Sequence, residues 1–219
     1  MGKIGLTKPT LIALYGFPGS GKTHFARQLC ELIGAAHIQG DRIRYELFEK
    51  PRYDKQENDV VTHLMEYMAE EFLGAGISVI FDINAMRLMQ RRVLRDIARK
   101  SHAAQMLVWL QIDTESAYLR GTKRDRRKND DKYAAPMDRA MFDRQVSHMQ
   151  NPDGEDYVVI SGKHTFNAQR SAVLRKLYDL NLVSADVVGS GVTKPGLVNL
   201  VPPLHGGRVD IARRNIVIR

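Results

Sequence analysis

The chain has 219 residues, 43 % of them apolar, and a formal net charge of +8. That length suits one sizeable domain; no run of about 18 apolar residues offers a membrane span, the N-terminus lacks the apolar core of a signal peptide, and the single cysteine, Cys30, forbids an internal disulfide. The expectation is a cytoplasmic protein with anionic partners.

Thr10 is preceded by a short polar lead-in. Leu11-Ile12-Ala13-Leu14-Tyr15 is an apolar run, long enough for a buried parallel strand. Gly16-Phe17-Pro18-Gly19-Ser20-Gly21-Lys22-Thr23 then fits the pattern G-x-x-x-x-G-K-[ST]. Its glycines let successive N–H groups face one anion, and the helix start behind it adds partial positive charge. Lys22 is placed to reach the β- and γ-phosphates of a nucleotide, and the Thr23 hydroxyl to hold Mg²⁺. His24–Ile33 reads as a helix with Phe25, Ala26, Leu29, Cys30 and Ile33 on one face, closed by Gly34. Cys30 is expected to be a buried structural thiol.

Ala35–Gln39 is expected as the second strand, followed by a short helix over Arg42–Phe48 that Asp41 can cap. The functional reading of Asp41 is stronger. A carboxylate just past this strand sits at the carboxyl edge of a parallel sheet, where ligands bind. Asp41 would take a proton from an acceptor hydroxyl, and Arg44, one turn on, would hold an acceptor anion. Glu57–Leu73 carries apolar residues at helical spacing and ends at Gly74-Ala75-Gly76.

Ile77–Asp82 is the third expected strand. An apolar run ending in Asp resembles the Walker B arrangement and places Asp82 near Mg²⁺ or the acceptor, with the Asn84 amide at the strand tip. The helix Ala85–Lys100 bears six basic residues. Most read as a solvated face, and Arg87, nearest the strand tip, is the one assigned to an anion in the cleft. Ala104–Ile112 is the fourth strand, and Thr114 is expected to cap the next helix. There stand Arg120, Lys123, Arg124, Arg126, Arg127 and Lys128. Arg120 and Arg124 are four apart and can point the same way on a helix, and this pair is expected to close over the γ-phosphate. Pro136 opens a helix over Met137–Met149, Tyr157–Ile160 is the fifth strand, and Thr165 caps Phe166–Leu180. The expected fold is α/β, a five-stranded parallel sheet covered by helices on both faces, in a domain spanning 1–183 with a basic helical lid over about 114–150. Residues 184–219, with glycines and prolines at intervals, read as an extended tail able to dock on the body or on a second subunit.

From Thr10 to Leu182 these residues resemble the AAA_33-type P-loop kinases, the group near polynucleotide 5′-hydroxyl kinase, the zeta-toxin kinases and chloramphenicol phosphotransferase. The resemblance rests on Gly16–Thr23, Gly40-Asp41 with Arg44, Phe81-Asp82-Ile83-Asn84, the basic stretch from Arg120 to Arg127, and Ile160-Ser161-Gly162. It implies an ATP-dependent kinase in which Lys22 and a lid arginine contact the transferring phosphoryl group and Asp41 is the general base. It further implies that Arg44 binds an acceptor phosphate and that the turn Ser161–His164, with Gly162 and Lys163, lies near the adenine. The first acceptor is a polynucleotide 5′-hydroxyl. The alternatives are a metabolite, nucleotide-sugar or antibiotic hydroxyl, or an ATP-driven switch acting on nucleic acid or protein. A plain nucleic-acid-binding protein would leave the phosphate loop unused.

Overall fold

In the computed structural model, residues 3–84, 86–124 and 132–184 are described. The sheet is built on β1 (Thr10–Tyr15), every residue of which is buried. A strand with no polar face belongs at the centre of a sheet covered on both sides. The order is β2 (Ala36–Gln39), β3 (Val79–Asn84), β1, β4 (Ala104–Gln111), β5 (Tyr157–Ser161). All four pairings are parallel.

Alternation along β1 divides the core. Ile12 and Leu14 face α1 (Lys22–Ile33) and α7 (Phe166–Asp179), in a cluster with Phe25, Leu29 and Leu174. Leu11, Ala13 and Tyr15 face α3 (Lys55–Gly74) and α4 (Leu88–Lys100), in a cluster with Met65, Phe81 and Leu94. Fully burying one such aliphatic side chain contributes roughly 1.5–3 kcal/mol. Cys30 is buried on the α1 face, and desolvation pushes its thiol up to about 12, the inert behaviour expected of a structural cysteine.

Element boundaries differ from the sequence reading where local chemistry competes. The short helix α2 starts at Gly40 and ends at Leu47, so Asp41 lies in its first turn and Gln39 takes the cap position. Strand β3 runs two residues later than read and reaches Asn84. Asp113 rather than Thr114 caps α5 (Thr114–Thr122), accepting from the Ser116 amide at 2.9 Å. Asp138 caps α6 (Arg139–Ser147) through the Met141 amide. Because α5 stops at Thr122, Arg120 and Arg124 do not share a helical face. Arg126, Arg127 and Lys128 of the basic stretch, and the tail from 185 on, lie outside the described residues. Among the described residues no helix is long and apolar enough to cross a membrane.

Candidate active site

The loop Gly16–Thr23 leaves the carboxyl end of β1 and is wedged between its neighbours. A side chain on Gly16 would meet the Leu110 carbonyl at 2.5 Å, and one on Gly19, whose φ is +82°, would strike the Ala117 carbonyl of α5. Only glycine satisfies both the left-handed backbone and this approach. Gly162, in the turn after β5, is fixed likewise: a Cβ there would sit 2.6 Å from the Ser20 carbonyl, while its amide donates to the Gln111 carbonyl at 2.7 Å. The phosphate loop is thus pressed against α5 and the β5 turn. Pro18 is buried, Phe17 and Thr23 half-buried. Phe17 stacks obliquely on Phe142 of α6, 6.4 Å between centroids.

Lys22 opens α1, and its ammonium donates to the carbonyls of Gly16 and Phe17, both at 2.9 Å. Burial pulls its pKa down to about 8; Asp82 and Asp41 oppose that shift and Arg124 adds to it. Asp41, half-buried, is pushed the other way. Desolvation and the neighbouring Asp82 raise it above the ordinary carboxylate range, against Arg124, Arg44 and Lys22. Four side chains from four segments therefore share one electrostatic field at the carboxyl edge of the sheet: Lys22 after β1, Asp41 after β2, Asp82 in β3 and Arg124 past α5.

Asp82 is 6 % exposed and 2.9 Å from His37 Nε2 in the adjacent strand. Register explains the contact, since Gln39 pairs with Asp82 and His37 is the preceding residue on the same sheet face. Nothing in the local sequence singled out His37. Asn84 Oδ1 accepts from the Gly16 amide at 3.4 Å. Its Nδ2 and the Ser20 hydroxyl oxygen are buried with no hydrogen-bond partner among the described residues.

The remaining candidates are spread out. Arg120 is exposed and donates to the Gly162 carbonyl at 2.7 Å, so it braces the β5 turn. Lys163 pairs with Asp113 at 2.5 Å. Together the lysine and the Ser116 amide hold that carboxyl well below its usual range. Arg87 is exposed at the start of α4. Arg44 has partners the sequence did not indicate: Glu57 at 3.1 Å, Asn58 at 2.5 Å and the Tyr53 ring, 4.9 Å from its guanidinium carbon. It is 7 % exposed and fastens α2 to α3. Arg91, read as part of a solvated face, is 1 % exposed and bonds Glu155 at 2.7 Å.

Thr23 and Asp82 supply a hydroxyl and a carboxylate on the α1 side, hard oxygen donors of the kind Mg²⁺ takes when phosphates and water complete its shell. Among the described residues no group of three or more His, Cys, Asp or Glu forms a separate metal cluster.

A family model for AAA_33, described as an AAA domain, matches residues 11–152. The chain belongs to the AAA_33 family. The match spans the phosphate loop, Asp41, Asp82, Arg120 and Arg124, and agrees with the resemblance read from the motifs. Curated proteins gave no match. Solved structures similar to this AAA_33 chain share its fold. Kti12 from Chaetomium thermophilum, in complex with ADP-AlF3, has 18 % identity and a TM-score of 0.62, covering 80 % of this chain and 99 % of that one. A gluconokinase from Sinorhizobium meliloti has 20 % identity and a TM-score of 0.56, with coverage of 78 % and 95 %. A chain of the Pnkp1/Rnl/Hen1 RNA repair complex has 21 % identity and a TM-score of 0.50, covering 64 % of this chain and 44 % of its own length.

Proposed function

We propose that the protein is an ATP-dependent kinase that phosphorylates a hydroxyl, with a polynucleotide 5′-hydroxyl as the favoured acceptor. The observation that carries this reading is the shared field of Lys22, Asp41, Asp82 and Arg124, which sets a raised carboxylate base beside a phosphate-binding lysine. The loop amides and Lys22 bind the β- and γ-phosphates, and Asn84 Nδ2 is a buried donor beside them. Asp41 accepts the proton of the acceptor hydroxyl. The acceptor oxygen bonds to the γ-phosphorus as the bond to the bridging oxygen breaks, and ADP leaves. Arg124 offsets charge on the transferring group. Arg120, with Gly162 and Lys163, walls the adenine. Arg44 enters through its field on Asp41, and Arg87, exposed at the cap position of α4, takes an acceptor phosphate. Thr23 and Asp82 would hold Mg²⁺, which shields phosphate charge when bound. The similarity to a gluconokinase and to a chain of an RNA repair complex is consistent with this class, and the net charge of +8 favours a polyanionic acceptor.

The test is incubation with γ-labelled ATP and Mg²⁺ against 5′-hydroxyl DNA, 5′-hydroxyl RNA, nucleosides, sugars and nucleotide-sugars. Label is expected on the oligonucleotide end. Label on a small hydroxyl alone would overturn the acceptor, and label only as free phosphate with every acceptor would overturn the kinase.

Gly162→Ala tests the nucleotide side. Its Cβ would force the Ser20 carbonyl back, and such overpacking costs roughly 1–3 kcal/mol. Because the displaced Ser20 carbonyl belongs to the phosphate loop, ATP affinity measured by calorimetry is expected to fall, by at most the roughly 5- to 150-fold equivalent to that energy.

A further inference from the structure

A cavity of about 550 Å³ opens at the carboxyl ends of β4 and β5. It lies on the sheet face away from α1: Tyr15, Trp109 and Tyr157 pack with the α3/α4 cluster, whereas Lys22 heads the helix on the opposite face. The cavity and the phosphate loop meet at Phe17. This is a second concave site beside the phosphate cradle.

Its lining joins three aromatic rings, two amides and the Asp113–Lys163 ion pair to aliphatic walls. Trp109 is half-buried and lies edge-on to Tyr15, 5.3 Å between centroids. Tyr15 Oη donates to Asn151 Oδ1 at 2.9 Å, which fixes the plane of that amide. Gln111 and Ser161 add polar groups at the mouth; Met149 and the exposed Val159 supply apolar walls. Size and composition fall in the range of pockets for small organic ligands. The half-buried Trp109 and Phe17 rings beside Asn and Gln amides suit a planar ring with hydrogen-bonding edges, the chemistry of a nucleobase. Lys163 also lines the cavity, with its ammonium paired to Asp113.

We propose that this cavity binds a nucleobase of the acceptor strand, an inference that rests on the kinase reading above. Three strand spacings separate the tip of β2, where Asp41 stands, from β4, about 14 Å. That exceeds one nucleoside, so the bound base belongs to a nucleotide inside the strand and not to the one being phosphorylated. Short oligonucleotides then outcompete nucleosides as acceptors, without any sequence-reading helix or groove.

Trp109 is the single tryptophan of the chain and reports directly on the cavity. Its emission is followed as the full-length protein is titrated, without ATP, with a 5′-hydroxyl adenine trinucleotide and with an abasic trinucleotide of equal charge. Saturable quenching by the first and not the second is expected. Val159→Arg, at a 43 % exposed position on the wall, is expected to raise the half-saturation concentration at least tenfold, and Lys22→Ala to leave it unchanged. Equal quenching by the abasic strand, or none by either, overturns the proposal. So does quenching by Mg·ATP alone that Lys22→Ala abolishes, because the cavity then holds the donor's adenine. A parallel transfer assay separates the two readings. Quenching without label transfer sinks the kinase and keeps the base site; label transfer without quenching does the reverse.

Discussion

Asp41→Asn is expected to slow phosphoryl transfer roughly 10²- to 10⁴-fold, the usual worth of a general base. The amide keeps the shape and the position in the first turn of α2 but cannot take the acceptor's proton. ATP affinity at pH 7 is expected to stay nearly unchanged, because Lys22 and the loop amides hold the phosphates. The pH profile adds a signature. Burial and Asp82 raise the Asp41 pKa, so the acid limb of kcat/KM should stand above the ordinary carboxylate range and vanish in the variant. Lys22, pulled down to about 8 by burial, sets a basic limb on kcat/KM for ATP. In the variant that limb should move lower, since Asp41's charge is one of the influences holding Lys22 up. Stability moves in the opposite sense to activity. A carboxyl raised on folding binds its proton more tightly folded than unfolded, so its contribution falls as pH rises through the folded pKa. Above its folded pKa the ionised Asp41 costs stability, and there Asp41→Asn should raise Tm. An inactive variant that melts lower instead would mean that the activity was lost through damage to the fold.

The phosphate loop was legible because its chemistry is local. Eight consecutive residues form the cradle, and the strand and helix on either side are written in the adjacent pattern. Asp41 and Asp82 were legible for a related reason: in a parallel sheet every strand ends at the same edge, so a carboxylate just after an apolar run is placed by topology alone. What could not be read depended on pairing across the chain. His37 meets Asp82 only because β2 and β3 align Gln39 with Asp82. Arg44 looked like an acceptor-binding residue from its distance to Asp41. Glu57 is 2 % exposed, however, and takes that guanidinium, together with the backbone amides of Arg52 and Tyr53. Arg120 and Arg124 share a helical face only if the helix continues, and α5 ends between them. The helix end sends Arg124 to Asp41 and Lys22, and leaves Arg120 on the Gly162 turn.

Glu155→Leu should be the most destabilising single change outside the glycines. Arg91 and Glu155 are 64 residues apart, and the carboxylate also binds Arg95. The Arg91 side chain is 1 % exposed and the Glu155 side chain 7 %. Removing the carboxylate leaves a buried guanidinium with the Met86 carbonyl and the Tyr15 ring, 5.3 Å from its guanidinium carbon, as neighbours. Arginine does not escape by losing its proton, so the charge must stay buried or drag the helix open. Breaking one side of such a pair typically costs 3–5 kcal/mol, which corresponds to a Tm drop of roughly 10 °C in a domain of this size. Arg91→Leu with Glu155→Leu removes both charges and is expected to regain most of the loss. The effect should reach the aromatic cavity. Gln150 donates its amide to the Met86 carbonyl, and its side chain accepts from the Leu88 amide, so one strap joins the start of α4 to the wall formed by Met149 and Asn151. Loosening that strap exposes Trp109 to water, and its emission in Glu155→Leu should shift to the red below the melting transition. An unshifted emission with a lowered Tm would confine the ion pair to global stability. A shift that the double variant reverses would make it the brace of the cavity wall.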